Sequence, residues 1–262
     1  MALETNLRGR TAVITGASEG IGRAIAEALA GEGVHLHIAA RTADRLNSLK
    51  TALEQAHGVS VTCHPLDLTQ SDGQTALSGA APEADILINS AGAIPKGRID
   101  EILEPQWRDV WDLKVFSTIN LCRDYYGLMK ARGSGVILNI IGNGGEKPVS
   151  DYVCGSTANA ALMAFTRALG GDGPKDGVRV VGINPGPIAT DKLVGMMQKS
   201  ALDKFGDAEK YTEFFKPFAY GRAGSVEEVA NMAVFLVSDL SSYTSGTIMT
   251  VDGGMVNKGP LF

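Results

Sequence analysis

The sequence predicts one α/β domain, in which helices cover both faces of a doubly wound parallel β-sheet. Strand-like apolar runs alternate with helical segments along the whole chain, the pattern of repeated strand–helix–strand units. The run at residues 136–141 is apolar at nearly every position, as expected for a central strand that is buried on both faces. The length of 262 residues fits a single domain with a well-buried core.

Four strands and three helices are predicted in the first half of the chain. Short apolar or alternating runs predict strands at residues 11–14, 34–40, 59–63 and 85–89. Apolar residues at helical spacing predict helices at residues 21–29, 42–57 and from about 70 to 79. Thr42 and Thr69 are candidate N-caps of the second and third helices, because a threonine hydroxyl can accept a hydrogen bond from a first-turn amide.

The second half continues the alternation. One long helix is predicted from Pro105 to about Ala131, and a Gly-Ser-Gly sequence ends it before the fifth strand. The remaining predicted elements are a helix at residues 151–169, a strand at 178–183, a helix at 225–237 and a strand at 247–251. Ser225 and Glu228 have the spacing of a capping box at the start of the last helix.

The composition argues against several functional classes. The chain has 24 basic and 29 acidic residues without a basic block, so no nucleic-acid partner is expected. No apolar run approaches the roughly 18 residues of a membrane span, and the first residues lack the pattern of a signal peptide. Cys63, Cys122 and Cys154 are odd in number and widely spaced, which predicts free thiols in the cytoplasm rather than disulfides or a metal site.

A glycine-rich loop at residues 15–22 connects the first strand to the first helix. Gly16 permits a tight turn, Gly20 lets the backbone approach a pyrophosphate, and Gly22 lets the helix pack closely on the strand. The helix that follows presents free amides and a positive dipole end to a phosphate. Strand, glycine turn and helix in this order predict a dinucleotide-binding loop.

Ligands of open parallel sheets bind beyond the carboxyl ends of the strands, where the strand order reverses. Functional residues are therefore expected directly after each predicted strand. These segments are residues 16–22, Arg41, Asp67 and residues 89–92, 142–145 and 185–190.

From Leu7 to Asn257 the chain resembles the short-chain dehydrogenase/reductase family. Residues 15–22 match the family's cofactor loop, and residues 67–68 match its adenine contact. Residues 89–92 are close to its Asn-Asn-Ala-Gly turn, and residues 184–190 match its nicotinamide-side loop. The carboxyl-terminal motif of the family is matched by residues 245–247 with 251–254.

The resemblance implies a seven-stranded Rossmann sheet formed by one domain over residues 1–262. It also implies an NAD(P)-dependent oxidoreductase that interconverts a carbonyl and an alcohol on a small molecule, and a homo-oligomer, usually a tetramer, with a dimer as the alternative. The residues expected to bind the cofactor are Gly16, Ser18, Gly20, Ile21, Gly22, Arg41, Asp67, Leu68, Asn89, Ala91, Gly92, Pro185, Gly186, Ile188 and Thr190.

The chain departs from the family at its catalytic Asn-Ser-Tyr-Lys tetrad. In one alignment Tyr152 is the family tyrosine, which places Ser156 at the lysine. The other alignment is anchored on residues 160–167 and needs no gap, so we prefer it. The residues that it places at the asparagine, serine, tyrosine and lysine positions are Lys114, Gly142, Gly155 and Asn159.

Four residues are candidates to replace this chemistry, because glycine can neither donate a proton nor hold a carbonyl oxygen through a side chain. Lys114 can act as acid/base or hold the ribose, unless it is an exposed helix lysine. Tyr152 can donate a proton into the space left by a glycine, unless it is only a packed structural residue. Asn159 can bond a ribose hydroxyl, and Asn143 can position a substrate oxygen or merely shape a turn.

The choice of cofactor depends on the end of the second strand. Ala40 stands where an aspartate would hold the ribose 2′-hydroxyl of NAD, and Arg41 can pair a 2′-phosphate instead. Glu19 opposes this, because many NADP-using relatives carry a basic residue at that position. NADP is therefore the preferred cofactor and NAD the alternative. In the alternative interpretation of Arg41, its side chain pairs with a nearby acidic residue and does not contact the cofactor.

Residues 191–224, rich in methionine and aromatic side chains, correspond to the family's substrate lid. A lid of this composition favours an apolar or aromatic substrate, and packing within the lid or an oligomer contact explains the same residues equally well. The missing tetrad leaves two further functions open: a non-redox lyase or dehydratase, and a catalytically silent nucleotide-binding protein.

Overall fold

The computed structural model describes residues 4–259, and the strands among them form one seven-stranded sheet. All strand pairs are parallel and the order is β3-β2-β1-β4-β5-β6-β7. The strands are β1 (Thr11–Thr15), β2 (His35–Ala40), β3 (Val61–Pro65), β4 (Ile86–Asn89), β5 (Gly135–Ile140), β6 (Val178–Pro185) and β7 (Ile248–Val251). The predicted doubly wound sheet is thus confirmed, and its order reverses between β1 and β4.

Eight α-helices connect the strands within the described residues. They are α1 (Gly20–Gly31), α2 (Ala43–His57), α3 (Ser71–Ala80), α4 (Glu104–Trp111), α5 (Ser117–Arg132), α6 (Val153–Asp172), α7 (Asp191–Phe205) and α8 (Val226–Val237). None of them is long and apolar enough to cross a membrane.

The core lies on both faces of the sheet because alternate strand residues point to opposite sides. Ile14, Ile88 and Leu138 pack on one face, in the cluster that contains the apolar sides of α1, α2 and α8. Val13 and Leu87 pack on the other face, in the cluster that contains residues of α3 and α5. Strands that are buried on both faces explain the continuous apolar runs in the sequence.

Three local features differ from the sequence-based predictions. The helix predicted from Pro105 to Ala131 is two helices, because a π-helical turn, Asp112–Phe116, separates α4 from α5. Thr42 occupies the N-cap position of α2, but its side chain makes no capping hydrogen bond. Thr69 does not cap α3: Gln70 is the N-cap residue, and the Thr69 hydroxyl donates to Asp67 instead. The capping box of Ser225 and Glu228 is confirmed.

Candidate active site

A cleft opens at the carboxyl edge of the sheet, where β1 and β4 are neighbours. Its walls are the glycine loop, the residues that end β2, the turn after β4, Lys114, the end of β5 and the loop between β6 and α7. This is the position that the strand order predicts for a ligand of a doubly wound sheet.

The glycines of the loop are required by its backbone. Gly16 has φ +67°, and a β-carbon there would lie 2.9 Å from Ala91 Cα, so the loop lies directly against the turn after β4. A β-carbon at Gly22 would lie 2.3 Å from the carbonyl oxygen of Gly16. Glu19, the N-cap residue of α1, makes no side-chain capping bond, which leaves the first-turn amides available to a phosphate.

One end of the cleft carries two arginines and one glutamate. Arg41 and Arg45 both line the wall beside Ala40. Glu19, which also lines the cleft, forms an ion pair with Arg45. The Glu19 carboxylate, which was expected to oppose a 2′-phosphate, is therefore paired with a cation. Arg41 has no carboxylate within ion-pair distance among residues 4–259.

Most of the predicted cofactor residues lie on the wall of this cleft. They are Gly16, Ser18, Gly20, Ile21, Gly22, Arg41, Leu68, Ala91, Gly92, Pro185, Gly186 and Thr190. Asp67, Asn89 and Ile188 do not lie on it. Asn89 is buried, with its amide donating to Asn139 Oδ1 at 2.9 Å, and Ile188 belongs to the apolar core. Asp67 accepts hydrogen bonds from the Thr69 amide and hydroxyl, which lower the pKa of its carboxyl group.

Lys114 is the only predicted catalytic residue on the cleft wall. Its side chain is bordered by Gly92, the residue itself is only 8% exposed, and Nζ donates a 2.7 Å hydrogen bond to the carbonyl of Ile141. No carboxylate within residues 4–259 pairs with it. Burial lowers the pKa of the Lys114 ammonium to about 8, because the charged form is the one that desolvation penalises.

The π-helical turn positions Lys114. Such a turn leaves the regular α-helical hydrogen-bond pattern, and turns of this kind are frequent at functional sites. Two hydroxyls of the next turn satisfy its carbonyls: Ser117 donates to Leu113, and Thr118 donates to Lys114 at 2.8 Å. The backbone that carries Lys114 is therefore held by side chains as well as by helix hydrogen bonds.

Tyr152 lies against Gly155, and Asn159 lies beside Gly142. A β-carbon at Gly155 would lie 2.1 Å from Tyr152 Cζ, so the tyrosine ring lies directly on the backbone of that residue. Burial raises the pKa of the Tyr152 hydroxyl to about 12. Asn159 is 2% exposed, its Nδ2 would lie 2.9 Å from a β-carbon at Gly142, and its Oδ1 has no hydrogen-bond partner among the described residues.

Asn143 faces the carboxyl-terminal end of the chain. Its amide donates to Asp252 Oδ2 at 3.3 Å, and Asp252 in turn accepts from the backbone amide of Val256. The turn after β5 is therefore tied to the residues after β7.

The lid contains α7 and a 3₁₀ segment, Ala208–Phe215. Its aromatic rings contact one another: Phe205 with Phe214 at 5.6 Å between centroids, and Phe215 with Tyr211 and Phe218 at 6.1 and 5.6 Å. The lid residues on the cleft wall are instead Asp191 and Lys192, next to Thr190.

Sequence reasoning missed Arg45 as a wall residue. Its position four residues after Arg41, at the start of a helix that follows the sheet edge, is a signal that could have found it. Its pairing with Glu19 joins residues 26 positions apart, so no local pattern shows it.

Comparisons with known proteins agree with this geometry. Residues 16–256 match the model of a family described as enoyl-(acyl carrier protein) reductase. The chain is 32% identical to 2-keto-3-deoxy-L-fuconate dehydrogenase of Xanthomonas campestris pv. campestris, over 97% of this chain and 82% of that protein. It is 30% identical to gluconate 5-dehydrogenase of Gluconobacter oxydans, over 95% and 96% of the two chains.

A solved structure of L-sorbose reductase from Gluconobacter frateurii, complexed with NADPH and L-sorbose, superimposes with a TM-score of 0.92. The two chains are 34% identical, and the match covers 98% of this chain and 100% of that one. The strand order, the glycine loop and these matches lead to one conclusion: the chain belongs to the short-chain dehydrogenase/reductase family of NAD(P)-dependent oxidoreductases.

Proposed function

We propose that this protein interconverts a carbonyl and an alcohol on a small molecule, prefers NADP as cofactor, and uses Lys114 as proton donor and acceptor. The observation that carries the proposal is a buried lysine on the cleft wall with no carboxylate partner among residues 4–259. A bound nicotinamide nucleotide supplies or takes up the hydride. The side chains of this protein bind and orient the substrate and move the proton.

The residues of the cleft fit a nicotinamide nucleotide with a 2′-phosphate. The amides at the start of α1 suit the pyrophosphate, because the helix dipole and free N–H groups favour an anion there. Arg41 and Arg45 suit the 2′-phosphate, since two arginines face one glutamate at that end of the cleft. NADP is preferred over NAD because two positive side chains outnumber one negative side chain here, and because Glu19 pairs with Arg45 instead of facing the phosphate.

Lys114 matches the proton chemistry better than Tyr152 does. A group with a pKa of about 8 can supply a proton to a carbonyl oxygen as an ammonium and remove one from an alcohol as a neutral amine. Tyr152, with a pKa raised to about 12, stays protonated at the same pH and lies against Gly155 rather than on the cleft wall. The buried Asn159 Oδ1 has no hydrogen-bond partner among residues 4–259, so it can accept from a ribose hydroxyl that reaches it, whereas Asn143 has a structural partner in Asp252.

The substrate we propose is a small hydroxylated carbonyl compound. The lid aromatics that would suit an apolar substrate are engaged with one another, and the lid contributes Asp191 and Lys192 to the cleft. L-sorbose, the ligand of the structural neighbour, belongs to this chemical class.

The assembly and the location are proposals as well. An exposed apolar groove, lined by residues that include Ile99, Ile102, Trp107 and Trp111, suits a second copy of this chain. The three cysteines are free thiols, which favours the cytoplasm.

Replacing Lys114 by methionine tests the proposed function. Lys114→Met keeps the length of the side chain and removes the amine, so we expect NADPH-dependent reduction of a panel of ketoses and keto acids to fall about 100-fold or more. The absorbance of the reduced nicotinamide follows the reaction. Lys175→Met, on an exposed turn before β6, is the control and should leave the rate unchanged. An active Lys114→Met protein would overturn the proposal.

A further inference from the structure

Lys114 has the surroundings of a nucleophile as well as those of an acid. Lys114 lies on the cleft wall beside Gly92, where a β-carbon would lie 3.4 Å from Lys114 Cδ and 3.6 Å from Nζ. Gly142, the next residue after the carbonyl that accepts from Nζ, also lines the cleft. Gly92 therefore borders the amine, and neither glycine projects a side chain into the cleft.

Lys114 loses its proton more easily than an exposed lysine, because it is buried and no carboxylate among residues 4–259 pairs with its ammonium. Buried ammonium groups are normally paired with a carboxylate, because an isolated charge is costly to remove from water. Within residues 4–259 no such partner exists, and the side-chain amine donates to one neutral acceptor, the Ile141 carbonyl. Burial accordingly lowers its pKa. A neutral amine that donates one N–H to Ile141 keeps a second N–H and its lone pair for the cleft.

We propose that Lys114 is a covalent binding site for small aldehydes and ketones, with which its side chain forms an imine. The nitrogen lone pair attacks the carbonyl carbon, the C=O π electrons move to oxygen, and a proton passes from nitrogen to that oxygen. The carbinolamine loses water as the C=N bond forms. No oxidant or reductant is consumed, and addition of water reverses the step.

This inference goes beyond the proposed hydride transfer and does not depend on it, since imine formation requires no nucleotide. The site would take a carbonyl compound small enough to enter beside Gly92. The same lysine would then serve chemistry that proceeds through an imine, including reactions that begin with loss of a proton from the carbon next to it.

Reductive trapping tests the proposal. The nucleotide-free full-length protein is incubated with dihydroxyacetone at pH 8 and treated with sodium borohydride, which fixes an imine as a stable secondary amine. Peptide mass spectrometry then measures the modified fraction of each lysine. We expect at least about tenfold more adduct at Lys114 than at Lys175, because an ordinary lysine is almost fully protonated at that pH.

Two further measurements separate this site from general surface labelling. Trapping at pH 6 should reduce the Lys114 adduct at least about tenfold, since the amine is then protonated. Lys114→Arg should lose the dominant adduct, whereas Lys175→Arg should keep it. The decisive comparison uses the unmutated protein, so the folding of a variant does not decide the outcome. Equal modification of Lys114 and Lys175 would overturn the imine site and would leave the hydride-transfer proposal to its own test.

Discussion

At the scale of single residues, two of the four positions that the ungapped alignment assigns to the family tetrad contact each other. In the ungapped alignment, Lys114 and Asn159 stand where the family has asparagine and lysine. Gly142 has φ +139°, a conformation that strongly favours glycine, and a β-carbon at residue 142 would lie 2.9 Å from Asn159 Nδ2. A serine introduced at 142 alone would therefore be strained and would contact Asn159. The alignment named these residues, but only the packing shows that they depend on one another.

Arg45 gives a prediction at this scale. Arg45→Ala should weaken NADPH binding about tenfold and change NADH binding little, because only NADPH carries the 2′-phosphate. Glu19→Gln should strengthen NADPH binding, since it removes a competing carboxylate and frees Arg45. Fluorescence titration of both nucleotides measures the effect.

Arg23→Ala is the matched control for the nucleotide titrations. Arg23 is an exposed arginine on α1 that pairs with Glu27, four residues along the same helix. Arg23→Ala should leave the affinities for NADPH and NADH unchanged. If Arg45→Ala weakens NADPH and NADH binding equally, Arg45 does not bind the 2′-phosphate.

At the scale of elements, the sequence predicted all seven strands and most helices, but neither α7 nor the π-helical turn. The π-helical turn lies in a segment whose composition stays helical, so the pattern around Lys114 gives no break signal. In the sequence the turn is accompanied only by two adjacent hydroxyl residues, Ser117 and Thr118, which bond to its carbonyls. This turn nevertheless decides where the lysine side chain lies.

Thr118 is therefore expected to be a positioning residue. Thr118→Val keeps the shape of the side chain and removes the hydroxyl that donates to the Lys114 carbonyl. We expect kcat to fall while the affinity for NADPH is retained, and the free energy of unfolding to fall by about 1 kcal/mol. The pH midpoint of the reduction should also move, which a purely structural loss would not cause.

Thr157→Val provides the comparison for Thr118. Thr157 makes the same type of bond to the carbonyl four residues earlier, but it is exposed on α6 and is not on the cleft wall. Its loss should leave kcat and the pH midpoint unchanged. Matching kinetics for the two variants would show that Thr118 has no special role.

At the scale of the whole molecule, alternation of strands and helices was sufficient to predict a parallel sheet with a nucleotide cleft at its carboxyl edge. The sequence could not predict which lid aromatics face the cleft, because Phe205, Phe214 and Phe215 have the same composition whether they bind a substrate or one another. The exposed groove at Ile99 and Trp107 likewise depends on how α4 lies beside the loop before it.

The groove gives a prediction for assembly. Ile99 is 68% exposed at its edge, and Ile99→Glu should shift the protein from an oligomer towards the monomer, because a charge would be desolvated at the interface. Sedimentation velocity measures the change. Leu240→Glu, at a residue that is 37% exposed and outside the groove, is the control. An unmutated protein that sediments as a monomer would contradict the proposed assembly.

The most direct test of Lys114 is the pH dependence of kcat/KM in both directions of the reaction. Reduction requires the ammonium as donor, so its kcat/KM should fall as the pH rises through about 8, the pKa of Lys114. Oxidation requires the neutral amine as acceptor, so its kcat/KM should rise over the same interval. Flat profiles through pH 8, with activity changing only towards the pKa of Tyr152 at about 12, would contradict the account.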